Sequence, residues 1–169
     1  TDSHTGDTMQ VETSRTEPDF FMIGYEKIDV EELFDMLETA GVHCLVDVRN
    51  LPRSRRAFYN KDVLQRKLND LSEAHGYKIE YISITALGNP PENRKGHCGS
   101  PEATAAYRSH VLTQEAALDE LQGIIGRCRT ALMCYEADPA CCHRSELAVI
   151  IAERYGLTGR DLRTDKALA

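Results

Sequence analysis

Between Cys134 and Ser145 the chain reads CYEADPACCHRS, which gathers Cys134, Glu136, Asp138, Cys141, Cys142, His143, Arg144 and Ser145 within twelve positions. Packing alone does not call for that density of nucleophilic, acidic and basic side chains. Three chemistries suit it. In the first, Cys142 is a thiolate nucleophile just before a helix, where exposed backbone N–H groups and Arg144 favour the charged sulfur and His143 is its base, with Glu136 as a further catalytic candidate. The layout loosely resembles rhodaneses and tyrosine phosphatases. The phosphatase spacing is not met, because nine residues separate Cys134 from Arg144 and one separates Cys142 from Arg144.

The second chemistry is anion binding. Arg144, Ser145 and the first N–H groups of the helix would hold a phosphate or carboxylate. A competing reading makes Arg144 a salt bridge that merely closes the loop, to Glu136 or Asp47. The third is a metal held by Cys134, Cys141, Cys142, His143, His97 and Cys98. No C-x2-C pair is present, and the adjacent side chains of Cys142 and His143 diverge, so no metal is assigned and no cofactor is called for. Anion binding needs the fewest special assumptions.

A second basic stretch supports that choice. Residues 49–60, RNLPRSRRAFYN, carry Arg49, Arg53, Arg55 and Arg56 without an acid. In a chain of net charge −7 this is the evident anion-seeking segment, although a solvated charged loop has the same composition. The overall negative charge excludes general affinity for nucleic acid or anionic membrane. It favours a small anion held by Arg49, Arg53 and Arg144 with Tyr25 alongside, leaving nucleic acid as a further partner through Arg53, Arg55 and Arg56.

The elements that must position these residues follow from periodicity. Residues 1–19 lack aromatic side chains and are expected to be a disordered tail, with one domain over residues 20–169. Phe20 to Ile23 reads as a strand. Asp29 with Glu32 caps a helix whose Val30, Leu33, Phe34 and Leu37 share one face, ended by Gly41. His43 to Val48 is a buried strand. Asn60 is expected to cap a helix carrying Leu64, Leu68 and Leu71, stopped at Gly76, and Lys78 to Ile84 to form a third strand. After a Gly- and Pro-rich loop, Ser100 and Pro101 open one helix and Thr113 caps another with Leu118, Leu121 and Ile125. Ala131 to Met133 is the fourth strand, followed by a helix with Leu147, Ala148, Ile151 and Tyr155. A short edge strand is expected near Leu162.

This alternation predicts a three-layer α/β/α domain with a mostly parallel sheet of four to five strands. The loops after each strand then converge on the sheet's C-terminal edge, where such proteins bind ligands, and Arg49 and Arg144 should face one pocket there. The six cysteines are too few for a disulfide scaffold in 169 residues, so Cys44 and Cys128 read as core thiols. No apolar run approaches membrane-spanning length, and the chain is expected to be cytoplasmic.

The motifs carry a resemblance. Ile23-Gly24-Tyr25, the Asp47-Val48-Arg49 motif followed by P-x-S-R, Asn60-Lys61 before a helix, Leu87-Gly88, and C-x-E-x-D-P-x-x-C-H-R-S together resemble the family known as domain of unknown function 488, from about Ile23 to Leu162. The resemblance implies a compact intracellular α/β domain with no assigned reaction. Cys141 and Cys98 fall outside the family pattern.

Overall fold

The computed structural model describes residues 17–93, 100–138, 143–164 and 167–168. Strand β1 (Phe20–Gly24) is followed by α1 (Val30–Thr39), β2 (Cys44–Asp47), α2 (Lys61–His75) and β3 (Glu80–Ser83). Helices α3 (Pro101–Leu112) and α4 (Glu115–Arg127) lead to β4 (Thr130–Cys134), α5 (His143–Tyr155), β5 (Gly159–Asp161) and β6 (Ala167–Leu168). The sheet order is β3-β2-β4-β1-β5-β6. The first five strands in chain order pair in parallel, and β6 closes one edge antiparallel to β5. The three-layer α/β expectation therefore holds, with one extra antiparallel edge strand.

Strand alternation divides the core in two. Phe21, Ile23, Leu45, Ala131 and Met133 face α1 and α2, against Leu33, Phe34, Leu37, Leu64 and Leu68. Phe20, Met22, Val46 and Leu132 face α3, α4 and α5, against Tyr107, Leu118, Leu121, Leu147 and Ile151. With side chains buried on both faces, the central strands carry near-continuous apolar runs, as parallel strands require.

Local signals decide several helix ends. Asp29 Oδ1 accepts from the Glu32 N–H at 2.8 Å, satisfying one of the orphan donors of α1. Gly41 and Gly76 follow α1 and α2 at φ +73° and +60°, backbone that a side chain disfavours. Ser100 Oγ accepts from Ala103 N at 3.2 Å, with Pro101 next in line.

Two expected caps are differently employed. Asn60 does occupy the N-cap of α2, but its side chain makes no cap bond; Oδ1 instead accepts from Ser54 N at 2.7 Å. Thr113 ends α3, its hydroxyl donating to the His110 carbonyl at 2.6 Å, and Gln114 occupies the N-cap of α4. The strand expected near Leu162 is β5, three residues ending at Asp161, but it is not the edge: it lies between β1 and β6. Of the expected tail, residues 1–16 lie outside the described residues. Asp19 is tied down: its carboxylate accepts from Thr158 N at 2.8 Å.

The cysteine expectation is corrected at one pair. Cys44, at the start of β2, and Cys128, just after α4, form a disulfide with Cα atoms 6.2 Å apart. They are 84 residues apart in sequence, and the β2–β4 pairing, which aligns Cys44 with Thr130, brings them together. Cys134 is a buried thiol.

Candidate functional site

At the C-terminal ends of the strands two separate polar clusters form, one on each face of the sheet. The first surrounds Asp47, the last residue of β2. Its carboxylate receives Arg49 through Nε at 2.9 Å and Nη2 at 2.7 Å, a two-pronged pairing, and also receives the Arg49 backbone N–H and the Tyr81 hydroxyl. Arg49 Nη1 donates to the Tyr25 hydroxyl at 3.2 Å. Burial works against charge on Arg49, but the hydrogen bonds and attraction of Asp47 outweigh it and hold the pKa above its ordinary value. Burial, reinforced by Asp47, likewise pushes the Tyr81 hydroxyl up, keeping it a donor.

The arginine loop is built onto this cluster. Ser54 N is fixed by Asn60, Arg56 N donates to Ser54 Oγ at 3.1 Å, and Lys61 N donates to the Pro52 carbonyl at 3.0 Å. Arg56 Nη1 reaches the Tyr25 carbonyl at 3.2 Å, and its guanidinium lies 5.0 Å from the centre of the Tyr59 ring. Tyr59 stacks on Tyr25 with ring centres 4.1 Å apart and 13° between planes. The fully buried Tyr59 donates to the Ile28 carbonyl at 3.0 Å. Arg53, Arg55 and Arg56 are exposed, and among the described residues neither Arg53 nor Arg55 forms an ion pair. The loop is therefore held in place from below with its charges outward.

The second cluster surrounds Arg144, at the start of α5. Its guanidinium is fully buried. It pairs with Asp161 at 3.2 Å, donates to Cys134 Sγ at 2.8 Å and to the Ala137 carbonyl at 3.0 Å, and also donates to the Glu136 carbonyl. The competing reading of Arg144 is the one that matches: it closes the loop after β4. Its carboxylate partner is Asp161 of β5, not Glu136 or Asp47. Gly24 makes the closure possible, because a Cβ there would fall on the Glu136 carbonyl.

Arg49 and Arg144 consequently do not share a pocket. Asp47 alternates with Val46 and Val48, which face α3–α5, so the Arg49 cluster lies on the α1–α2 side. Asp161 is in register with Met22 and shares the opposite face with Arg144. The strands do end at one edge, as expected, but side chains one residue out of phase point to opposite sides. His143 belongs with Arg144: Nε2 lies 3.3 Å from the Val48 carbonyl and the ring packs 4.8 Å from Tyr107. Ser145 is half-buried on α5. Cys142 and Cys141, the thiol candidates, lie outside the described residues, as do His97 and Cys98.

Sequence reasoning did not anticipate Tyr81 and Asp161 as partners of the two arginines. Nor did it anticipate Arg163, whose guanidinium donates to the Gly24 carbonyl at 3.0 Å. Elsewhere, a shallow depression of about 510 Å³ at the other end of the strands is lined by Asp19, Asp119 and Leu157 and offers no cation. Asp35, Glu38 and His75 bring ligand atoms within 4.8 Å of one another on the surface, at the far ends of α1 and α2.

The fold and these clusters define a three-layer α/β domain whose sheet edge carries a pinned arginine loop. The chain belongs to the family described as Domain of unknown function DUF488, whose model matches residues 29–151. No curated protein and no solved structure matches the chain. No described helix is long and apolar enough to cross a membrane.

Proposed function

We propose that this protein binds a phosphorylated or similarly anionic ligand at the C-terminal edge of its sheet, on the α1–α2 side, with Arg53, Arg55 and Arg56 as the anion contacts and Arg49 and Tyr25 as the floor. One observation carries this reading. The arginine loop contains no acid, and Asp47, the carboxylate beneath it, is already engaged by Arg49 and Tyr81. The outward cations therefore keep their field for a ligand. Fixing the loop through Asn60, Ser54 and Tyr25 lowers the ordering cost that mobile arginines incur on binding.

The anion contact thus moves from Arg144, buried among its own partners, to the loop. The reading is of a binding site rather than of a reaction. Calorimetric titration of the intact chain with inorganic pyrophosphate tests it. Binding is expected, and the Arg53→Ala/Arg55→Ala double variant should weaken it at least tenfold. Absence of binding, or equal affinity in the double variant, overturns the reading.

A further inference from the structure

Four large hydrophobic side chains are exposed among the described residues, and three of them, Leu51, Phe58 and Tyr135, sit at this same edge. Tyr135 directly follows β4 and is 47% exposed. Its ring meets Tyr25 edge-on, with centres 5.3 Å apart and 74° between planes. Tyr25 in turn stacks on Tyr59, over which Arg56 stands. A half-exposed aromatic ring is therefore linked through Tyr25 and Tyr59 to Arg56, on a support that is itself packed and hydrogen-bonded.

Topology places this pair at a privileged point. β1 and β4 are neighbours in the sheet, yet the chain leaves β1 across the α1 face toward β2 and leaves β4 across the α5 face toward β5. Just past the two ends the chain stays paired, Tyr25 N donating to the Cys134 carbonyl at 3.0 Å and Glu26 N to the Tyr135 carbonyl at 2.8 Å, which holds the two tyrosines side by side at the edge where open α/β sheets receive ligands. Tyr25 and Tyr135 are the first residues beyond those two ends.

We infer that the ligand is a nucleoside phosphate unit, its base stacked on Tyr135 and its phosphates on Arg53, Arg55 and Arg56. This rests on the anion-binding reading above and adds the aromatic half of the ligand. A bare phosphate gives the exposed Tyr135 ring nothing to do. A base has a π-face that an aromatic side chain recognises whatever its hydrogen-bonding pattern, with free energies that correspond to roughly five- to 150-fold in affinity.

The test compares ADP with inorganic pyrophosphate on the intact chain, on Tyr135→Ala and on Tyr135→Phe. ADP should bind the intact chain about tenfold more tightly. That ratio should collapse toward unity in Tyr135→Ala and return in Tyr135→Phe, which keeps the ring. If ADP and pyrophosphate bind equally, or if the ratio survives in Tyr135→Ala, the base-stacking inference is overturned while the anion reading stands. If neither binds, the anion reading itself fails. A short oligothymidylate measured against dTMP across a salt series identifies the source of the unit: a slope near −0.7 per phosphate contacted assigns a single strand, and a shallow slope assigns a free nucleotide.

Discussion

Arg144 and Asp161 form an ion pair at 3.2 Å in which neither side chain has any exposure to solvent. Asp161 also accepts from Thr164 N at 2.9 Å and from its hydroxyl at 3.0 Å, so the carboxylate stays fully bonded out of water. One pair thereby joins the start of α5, the end of β5 and, through the carbonyls of Glu136 and Ala137, the loop after β4.

Removing one member of such a pair leaves the other charge desolvated without compensation. Asp161→Asn keeps the shape and removes the charge, and it should lower unfolding free energy by about 3–5 kcal/mol. Urea denaturation checks this. A loss below about 1 kcal/mol would mean that the carbonyls and the Cys134 sulfur alone satisfy Arg144.

Glycine positions offer a sharper contrast. Gly24→Ala would set a methyl on the Glu136 carbonyl, and Gly88→Ala one on the Asn50 backbone, so each should destabilise by about 1–3 kcal/mol as the loop is displaced. Gly123 lies inside α4 with open space at its Cβ direction. Gly123→Ala should therefore stabilise by about 0.5–1 kcal/mol. Thermal melts of the three variants side by side measure the difference, and similar behaviour of Gly24→Ala and Gly123→Ala would refute the close approach.

Alkaline pH should unfold the protein from the α1–α2 face. Burial raises the Tyr59 pKa against the opposing charge of Arg56, and burial with Asp47 raises that of Tyr81. A raised acid pKa in the folded state contributes stability that is whole below the unfolded value, about 10 for tyrosine, and drains away as pH climbs toward the folded one. Stability should thus fall above about pH 10, and Tyr81→Phe should flatten that fall. Ultraviolet titration should show these two hydroxyls ionising above the ordinary tyrosine value of about 10. Ionisation of Tyr59 and Tyr81 at that ordinary value with the fold intact would contradict it.

What was legible in the sequence was local. Asp29, Glu32 and the Val30-Leu33-Phe34-Leu37 face describe α1 because every partner lies within a few residues, and Gly76 stops α2 for the same reason. The site divides along this line. The acid-free arginine segment was readable as composition, but Asn60, a good cap by type, binds Ser54 six residues back, a choice that helix rules do not contain. Arg144 meets Asp161 seventeen residues later through the packing of α5 on the sheet, and Asp47 meets Tyr81 thirty-four residues away through strand register. The two arginines looked like partners because their loops share an edge; the phase of one residue along each strand separates them.

The disulfide between Cys44 and Cys128 has a topological consequence. It closes a covalent ring that contains β2, α2, β3, α3 and α4 and omits β1, α1, β4, α5, β5 and β6. In the sheet order the ring contributes β3 and β2, and everything beyond belongs to the remainder, so within the sheet the two parts meet along a single seam between β2 and β4, with α2 on α1 and α3 on α5 packing across it on the two faces. Tyr25 and Tyr135 come from one side of that seam; Arg49, Arg56 and Tyr59 come from the other. The stack of Tyr25 on Tyr59 and the bonds from Arg49 and Arg56 to Tyr25 are stitches across it. A ligand lying on both Tyr135 and the arginine loop would add another, and would hold ring and remainder together by the free energy of its own binding.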